Sequence, residues 1–434
     1  MQHAKFQIPI CIQNLILLWM SEIKKSGEDF RGGCAMLSRI LRAAILLVPT
    51  MGSAFAQKYD SGATDSEIKL GQTQPYSGPV SAAAGVGFAS TAFFEALNKK
   101  GGINGRKIKV ISLDDSYNPP KTVESTRQLV ESDEILAMYG STGTPTNAAV
   151  QKYLNAKNIP QLFIATGASR FNNPKAFPWT MPLLPSYAAE GRAIARYALT
   201  AVADPKIAIL YQNDDLGKDF LAGFKSGLGD KAKTAIISEQ SFEVTDPTIQ
   251  SQIVSAKASG ANVFYFAGTQ KYGAMQIRIR YELGWKPLHL VCSTSAGVET
   301  VLKPAGVERA EGIVSTAYAK EPFDPRWDKD PEAMEFRGWA KEFLPQKDAR
   351  DSGILVGYLA SFLTAHVLKS AGSTLTRSNL IEIATHLDQV KVPLLLPGIT
   401  VSTAPDDYSA IRKFQIQRFE SAQWVPVGDM VSGE

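Results

Sequence analysis

The residues best suited to bind a small anion are the threonines of one loop. Gly140–Thr146 reads Gly-Ser-Thr-Gly-Thr-Pro-Thr, and it carries Thr142 and Thr144 between a buried strand pattern at Ile135–Tyr139 and a helical segment. Hydroxyl and main-chain amide donors at a helix N-terminus can bind an anion without a counter-charge. The same hydroxyls can simply cap the helix, and the residues alone favour that ordinary role.

Two acidic pairs also follow predicted strands. The pair Asp114-Asp115 and the pair Asp214-Asp215 each end a β-branched, apolar segment. Adjacent carboxylates can serve acid–base catalysis or hold a metal ion. Carboxylates at strand ends more often accept hydrogen bonds in turns and helix caps, so we expect that structural role here.

The remaining candidates for catalysis lack the partners that catalysis needs. Ser141 or Cys292 would require a nearby base to act as a nucleophile, and no histidine is placed to supply one. No two histidines have the spacing of metal ligands. Gly140–Thr146 lacks the Gly-Lys-Ser/Thr ending of a phosphate loop, and Gly85-Val-Gly87 falls inside a helix pattern. The sequence therefore predicts neither an enzyme nor a bound cofactor or metal.

The elements that position these loops alternate between strand and helix. The stretch Glu67–Gly101 begins with a strand at Ile68–Gln72, turns at Pro75–Pro79 and continues as a helix with apolar residues on one face. Similar strand, loop and helix units lie on both sides of a proline-rich segment, Phe171–Tyr187. In an open parallel sheet, small ligands bind outside the carboxyl ends of the strands. The pattern predicts an α/β fold with two doubly wound, Rossmann-like lobes.

Irregular segments mark where the chain passes from one lobe to the other. Besides Phe171–Tyr187, we expect crossings at Glu311–Tyr318 and Pro393–Pro397, which together make a multi-strand hinge. A hinge of several crossings can close over a ligand. The predicted lobes comprise residues 57–183 plus 318–393 and residues 184–317 plus 394–434.

The composition and the N-terminal region are those of an exported globular protein. The 434 residues suffice for two domains, and the formal net charge of +4 comes without a basic block of the kind that binds nucleic acid. Residues 36–56 have the arginines, short apolar run and Ala-x-Ala ending of a signal peptide, which predicts a periplasmic mature chain starting near Gln57. Residues 1–35 are interpreted as an over-extended reading frame upstream of the initiator Met36. We expect a monomer.

A family resemblance rests on four motifs in order: IKLGQTQPYSGP at 68–79, EALNKKGGINGRKI at 95–108, DDSYNPPKTVESTRQLV at 114–130 and TDPTIQSQIVSAKASGANVFYF at 245–266. With these motifs the chain resembles type I periplasmic binding proteins, specifically the branched-chain amino-acid (leucine/isoleucine/valine-type) receptors of ABC transporters. The resemblance implies that the lobes close on one small carboxylate ligand, which is then delivered to the permease subunits. A ligand-sensing module of the same fold is the alternative function, ahead of an α/β enzyme.

The resemblance also implies which residues contact the ligand. It implies that hydroxyl and main-chain donors around Thr142 and Thr144 bind the carboxylate, which favours binding over capping at these positions. Tyr76 and Tyr117 are predicted to add aromatic surface near the cleft. The other predicted ligand-binding residues are Ala165, Thr166, Gly167, Tyr187, Leu216, Thr269, Gln270 and Ser295.

One departure from the family bears on the ligand. The amino-acid receptors hold the α-ammonium group with an acidic side chain of the second lobe, whereas here Ser295 falls near that position and Leu216 replaces a tyrosine. An ammonium group buried without a counter-charge binds poorly. We therefore expect either a hydrophobic amino acid or an aromatic acid that lacks an amine. Three nearby acids could supply the missing charge: Asp115, Asp214 and Asp215.

Overall fold

The computed structural model describes residues 58–433. The predicted upstream segment, the signal peptide and the mature start at Gln57 lie outside the described residues. The strands are β1 (Lys58–Tyr59), β2 (Glu67–Gln74), β3 (Lys107–Asp114), β4 (Ala137–Tyr139), β5 (Gln161–Ile164), β6 (Thr180–Pro182), β7 (Ile207–Gln212), β8 (Ile236–Phe242), β9 (Val263–Ala267), β10 (Leu288–Val291), β11 (Val314–Ala317), β12 (Thr374–Leu375), β13 (Lys413–Glu420) and β14 (Gln423–Ser432). The helices are α1 (Gly85–Lys99), α2 (Pro119–Arg127), α3 (Thr144–Ala156), α4 (Tyr187–Ala201), α5 (Asp215–Leu228), α6 (Ala232–Ala235), α7 (Gln250–Ala258), α8 (Gln270–Glu282), α9 (Lys303–Ala305), α10 (Pro331–Phe343), α11 (Ser352–Ala371) and α12 (Arg377–Ala384).

Five parallel strands form the first sheet, in the order β3-β2-β4-β5-β6. β2 and β3 pair along their whole lengths, from Glu67 opposite Lys107 to Gln74 opposite Asp114. The winding direction reverses at β2, because β3 lies on one side of it and β4 on the other. Such a switch point leaves a crevice at the carboxyl ends of the strands, where ligands bind in folds of this kind.

The second sheet repeats this winding and adds an antiparallel pair. Its order is β14-β13-β11-β10-β9-β7-β8, with β7 to β11 parallel and β13 and β14 antiparallel. The switch point lies between β7 and β9, which pair from Ile207 opposite Val263 to Tyr211 opposite Ala267. Two sheets with the same switch confirm the predicted α/β fold.

Most of the apolar side chains pack in cores that belong to one sheet or the other. In the first core, Phe93 of α1 and Tyr358 of α11 meet edge to face with ring centroids 5.1 Å apart. Beside the second sheet, Phe224 of α5 stacks on Tyr265 of β9 at 4.4 Å. Each sheet therefore has an apolar core of its own.

The crossings between the sheets differ in extent from the predicted segments. β6 lies inside Phe171–Tyr187 and belongs to the first sheet, so the chain leaves that sheet only after Pro182. β11 occupies much of Glu311–Tyr318 and belongs to the second sheet. Apolar residues of the first core continue to Ile411, past Pro393–Pro397, and the chain rejoins the second sheet at β13. Packing of apolar side chains, rather than proline content, sets where the chain changes lobes.

Within residues 58–433, one helix has the length and apolar composition of a candidate membrane span, and it is α11. Most of its surface is buried inside the protein. It packs against α1 and against β4 and β5 of the first sheet. In this structure α11 is therefore a core helix of the first lobe.

Candidate functional site

A cavity of about 430 Å³ lies between the carboxyl edges of the two sheets. Loops that follow β4 and β5 line it from the first sheet, and loops that follow β7, β9 and β10 line it from the second. Its apolar lining includes Val80, Leu184, Leu355 and Met430. Small-molecule sites are typically cavities of roughly 300–1,000 Å³ with apolar walls and a few polar groups.

The structure brings most of the predicted ligand-binding residues to this one cavity. Those that line it are Tyr117, Thr142, Thr144, Ala165, Tyr187, Leu216, Thr269 and Gln270. Those that do not are Tyr76, Thr166, Gly167 and Ser295. The lining residues come from both lobes, as expected for a ligand enclosed between them.

Tyr76 and Ser295 are directed toward other parts of their own lobes. The hydroxyl of Tyr76 forms a hydrogen bond of 2.6 Å with Ser112 Oγ, and the ring packs against Phe88. Ser295 is fully buried and donates from Oγ to Gly268 O at 2.7 Å. The residues on either side of Ser295 reach the cavity instead, because the loop turns its side chain toward α8.

Thr166 and Gly167 lie directly behind the lining. Thr166 Oγ1 is 2.7 Å from Thr144 Oγ1, so the two hydroxyls share a hydrogen bond. Gly167 is pressed against Pro185, where an added Cβ atom would be 1.9 Å from the carbonyl oxygen. The carbonyl oxygen of Gly167 accepts the main-chain N–H of Tyr187 at 3.0 Å. These two residues therefore position Thr144 and Tyr187.

The start of α3 is the part of the lining best suited to a carboxylate. Thr142 donates from Oγ1 to Gln74 Oε1 at 2.7 Å, and Thr144 is bonded to Thr166, so both hydroxyls are fixed by first-lobe side chains. Gly143 precedes the helix with φ of 109°, a conformation that favours glycine, and no side chain caps the helix there. A helix start has a partial positive charge. Here Pro145 has no N–H and the main-chain N–H of Thr144 is donated to the Tyr117 hydroxyl, so the other donors of the first turn are the ones left for a ligand.

Tyr117 covers this helix start and reaches toward the second sheet. Asp115 Oδ1 accepts the main-chain N–H of Tyr117 at 2.9 Å, which stabilises its unusual φ of 56°. Burial raises the pKa of Tyr117 well above its usual value, Asp214 raises it further, and hydrogen bonds to the Gln212 side chain and the Thr144 backbone oppose that rise. Because Gln212 ends β7, Tyr117 links the two lobes beside the cavity.

The second sheet contributes a wall from the ends of β7 and β9. Gln212 Oε1 accepts the main-chain N–H of Thr269 at 3.2 Å and its hydroxyl at 2.9 Å. This pair ties together the two strands on either side of the switch point. Leu216 adds a buried apolar surface, and Gln270 lines the cavity from the first turn of α8. The wall therefore combines a fixed polar edge with an apolar face.

The three acids considered as ammonium partners do not line the cavity. Asp115 is buried and accepts hydrogen bonds from Tyr117 and from Thr122 Oγ1 at 3.0 Å. Asp214 caps α5 through the N–H groups of its first turn, and Asp215 pairs with an arginine at 2.6 Å. All three therefore act in turns, caps and ion pairs, the structural role expected for the two acidic pairs.

A buried carboxylate stands behind the loop that follows β10. Glu190 is 1% exposed and accepts hydrogen bonds from Ser293 N at 2.6 Å and Ser293 Oγ at 2.7 Å. Burial raises the pKa of Glu190 to about 7, and hydrogen bonds from Ser293 and Thr316 oppose that rise. Ser293 and Thr316 line the cavity whereas Glu190 does not. This carboxylate therefore orients lining residues rather than facing the cavity itself.

The crossing segments form a wall of the cavity that was not predicted residue by residue. Tyr318 and Lys320 run antiparallel to Leu394 and Leu396, with Lys320 N donating to Leu394 O at 2.7 Å and Leu396 N donating to Tyr318 O at 3.0 Å. We call this wall the hinge wall; its cavity-lining residues are Tyr318, Ala319, Lys320, Glu321, Arg326, Trp327, Leu396 and Pro397. The predicted crossings could have pointed to this wall, because segments that cross between the lobes must border the space between them.

Two cations of the hinge wall are held by neighbouring carboxylates. Lys320 Nζ lies 2.7 Å from Asp330 Oδ2 and 2.8 Å from Glu332 Oε2. The guanidinium of Arg326 binds both carboxylate oxygens of Asp324 at 2.8–3.0 Å. These ion pairs leave neither cation free to bind a ligand carboxylate without rearrangement.

Glu321 differs from these neighbours because its side chain has no partner. Among residues 58–433, no hydrogen bond or ion pair reaches its carboxylate, although the residue lines the cavity. Burial raises the pKa of Glu321 to about 7, Asp324 and Glu299 raise it further, and Arg326 opposes that rise. The hinge wall therefore presents one unpaired acidic group to the cavity.

Comparison with known proteins identifies the family. The sequence model of the periplasmic binding proteins matches residues 67–423, which is most of the chain. The chain belongs to the periplasmic binding protein family. Its two sheets with matching switch points have the fold of the type I periplasmic binding proteins.

Curated relatives are similar over part of their length. A Leu/Ile/Val-binding protein homolog 3 from Brucella melitensis biotype 1 is 25% identical over 252 residues, which cover 58% of this chain and 66% of the relative. An amino acid binding protein from Pseudomonas aeruginosa is 22% identical over 256 residues, with coverage of 58% and 66%. The matched segment thus spans just under two thirds of these relatives.

Solved structures share the fold over nearly their whole length. A branched chain amino acid ABC transporter from Thermus thermophilus with bound valine has a TM-score of 0.76 at 15% identity, covering 85% of this chain and 97% of that one. A fatty acid ABC transporter substrate-binding protein from Thermomonospora curvata has a TM-score of 0.74 at 19% identity, covering 86% and 95%. These two proteins are named for ligands of different chemistry, so the ligand of this chain has to be argued from its cavity.

Proposed function

We propose that this periplasmic binding protein is the solute receptor of a branched-chain amino-acid-type ABC importer. It binds a small organic carboxylate with an apolar body, either a hydrophobic amino acid or an aromatic acid. The observation that carries the proposal is the cavity between two switch points, with the uncapped start of α3 in its wall.

The ligand carboxylate is assigned to the start of α3. The helix dipole favours an anion there. Each hydrogen bond that the anion accepts from a donor not already bonded, which excludes the Thr144 N–H, contributes about 1.5–3 kcal/mol. Thr142 and Thr144 flank this position on side chains that are already fixed by Gln74 and Thr166. Because the Thr142 proton is donated to Gln74 and the Thr144 hydroxyl is bonded to Thr166, a ligand carboxylate has to exchange with one of these bonds to use a hydroxyl donor.

The apolar body of the ligand is assigned to the space next to the hinge. Val86 and Leu355 line the cavity from α1 and α11, and Leu184 and Met430 line it from elsewhere along the chain. Burying a side chain the size of leucine or phenylalanine contributes about 1.5–3 kcal/mol.

Ligand capture is proposed to proceed by closure of the lobes about the crossings. In the structure the lobes already meet beside the cavity, where Arg350 lies 3.4 Å from Glu299 and Tyr117 reaches Gln212. The closed form would present both lobes to the permease subunits. We further propose export through the signal peptide at residues 36–56, a periplasmic location, a monomeric state and no catalytic activity.

The test is a ligand screen on the exported chain. Thermal unfolding is measured with leucine, valine, phenylalanine, benzoate and 3-phenylpropionate at millimolar concentration, and each hit is titrated by calorimetry. A ligand at about 1,000 times its Kd stabilises the folded state by about 4 kcal/mol and shifts Tm by several degrees. A flat response to every amino acid and every acid in the screen contradicts the proposal.

A further inference from the structure

Glu321 occupies a position from which it can meet a ligand directly. It follows the hinge segment that pairs with Leu394–Leu396, and its main-chain oxygen accepts the N–H of Asp324 at 2.9 Å. This turn holds the backbone in place while the half-buried side chain lines the cavity. Its carboxylate has no hydrogen-bond or ion-pair partner within the described part of the chain.

The cations near Glu321 are already engaged elsewhere. Arg326 is bound by both oxygens of Asp324. Lys320, the residue before Glu321, pairs with Asp330 at 2.7 Å and with Glu332 at 2.8 Å. Each of these cations already has a carboxylate partner, and none of them pairs with Glu321.

An uncompensated carboxylate in a partly enclosed space is unfavourable unless a cation or a proton neutralises it. This free-energy cost is relieved when the carboxylate is removed or when it is paired with a cation. A ligand that carries a positive charge supplies the pairing at the moment of binding. The resulting charge-assisted hydrogen bond is stronger than a neutral one and discriminates strongly against ligands without the donor.

The cavity also has opposite polarity on its two sides. The start of α3 presents a partial positive charge, and Glu321 on the hinge wall presents a negative one. Tyr318 lies within electrostatic range of both Tyr187 and Glu321, and burial, followed by the charges of its neighbours, raises its pKa. Thr144 at the start of α3, Tyr187, Tyr318 and Glu321 all line this cavity, so both charges face the same enclosed space.

We propose that Glu321 binds the protonated amine of the ligand, so that the ligand is an apolar amino acid rather than an aromatic acid without an amine. This inference rests on the proposed function and narrows it to one of its two ligand classes. The acidic group comes from the hinge wall, and not from the loop that contains Ser295.

The experiment compares matched ligands that differ only in the amine. Calorimetry at pH 8 measures leucine against 4-methylpentanoate, valine against 3-methylbutanoate, and phenylalanine against 3-phenylpropionate. For the wild-type protein, the better-bound amino acid is expected to bind at least about 100-fold more tightly than its partner acid. In the Glu321→Gln variant, the amino acid is expected to lose at least about 10-fold while the partner acid is unchanged or improved.

Two controls separate this inference from general effects. Glu335→Gln removes an exposed acid of α10 that does not line the cavity, and its affinities are expected to match the wild type within about twofold. Glu321→Gln is expected to keep or raise the ligand-free Tm at pH 8, because an unpaired charge is removed. A loss of ligand affinity in a variant that is fully folded therefore reports the contact itself.

The outcomes distinguish the two proposals. Binding of the acids as tightly as the amino acids, or an unchanged amino-acid affinity in Glu321→Gln, overturns the role of Glu321 and leaves the solute-receptor proposal standing. Failure of every amino acid and every acid to bind the wild-type protein overturns both. If the wild-type protein binds amino acids selectively and Glu321→Gln weakens that binding, the result supports both the solute-receptor proposal and the role of Glu321.

Discussion

The two sides of the cavity are built on different principles. The carboxyl edge of the first sheet presents short loops between regular elements, and its polar groups, such as Thr142 and Thr144, are each held by another side chain. The hinge wall consists of irregular segments that cross between the lobes. It contains ion pairs such as Lys320 with Asp330, and it also leaves Glu321 unpaired.

We therefore expect the sheet edge to contact a ligand in the same way at all times, and the hinge wall to contact it only when the lobes are closed. The edge of the sheet keeps its geometry whether the lobes are open or closed, because both partners of each hydrogen bond lie in one lobe. Under the proposed closure, the hinge wall moves with the crossings, so its contacts with a ligand depend on closure. A ligand held by both sides therefore couples binding to closure, since only the closed form satisfies both.

The largest effect is expected from blocking the sheet edge at Gly143. A Cβ atom there would lie 2.5 Å from Thr146 Oγ1 and 2.5 Å from the ring of Tyr117. Gly143→Ala is therefore expected to displace Tyr117 and distort the helix start, so that calorimetry detects no ligand binding at millimolar concentration. Such a loss corresponds to about 4 kcal/mol for a micromolar ligand.

Gly101→Ala is the matched control for backbone strain. Gly101 has φ of 105°, close to that of Gly143, but nothing lies within 4 Å of its added Cβ atom. Both variants should lose some stability because left-handed backbone disfavours alanine. Equal loss of ligand affinity in the two variants would show that strain, and not the cavity contacts, causes the effect.

The next largest effect is expected from the pH dependence of amino-acid affinity, which tests Glu321 on the hinge wall. The ligand-free pKa of Glu321 is raised to about 7, first by burial, then by Asp324 and Glu299 and against Arg326. An ammonium group binds the ionised form, so amino-acid affinity should be constant above pH 7 and fall about tenfold per pH unit below it. Calorimetry with phenylalanine or leucine between pH 5 and pH 8 measures the profile.

Glu321→Gln supplies the control for this pH profile. Glu190 also has a pKa raised to about 7, by burial, and it remains in the variant. Any pH dependence that survives in Glu321→Gln therefore belongs to Glu190 or to other groups. A profile with the same slope in both proteins would show that Glu321 does not bind the amine.

A smaller effect is expected at the threonine that starts α3. Thr144→Ala removes one hydroxyl from the cavity lining and its hydrogen bond to Thr166, and should weaken ligand binding by about 1–3 kcal/mol. Thr234→Ala, at an exposed threonine, is the control and should leave affinity unchanged. Unchanged affinity in Thr144→Ala would remove its hydroxyl from the site and leave the carboxylate to the main-chain donors.

The smallest effect is expected at Tyr76. Its hydroxyl bonds to Ser112 and its side chain does not line the cavity. Tyr76→Phe should change ligand affinity by less than about twofold and lower the free energy of unfolding by about 1 kcal/mol, the usual value for one lost hydrogen bond. A tenfold loss of affinity would instead place Tyr76 in contact with the ligand.

The fold could be predicted in detail where the hydrophobic pattern is regular. The predicted strand at Ile68–Gln72 lies within β2, and the helix predicted after the turn at Pro75–Pro79 is α1. Prediction failed where a proline-rich segment concealed regular structure. β6 lies inside Phe171–Tyr187, and α4 begins at the end of that segment without having been predicted.

The sequence by itself determined the βα units, their two-lobed winding and the loops at the strand ends, because periodicity and turn residues act locally. Only the tertiary structure decided which residues of the irregular crossings face the cavity. Glu321 and Ser295 illustrate the reason: in segments without a repeating period, the direction of a side chain is set by distant packing partners. The hinge pairing leaves Glu321 facing the cavity, and contact with Gly268 turns Ser295 away from it.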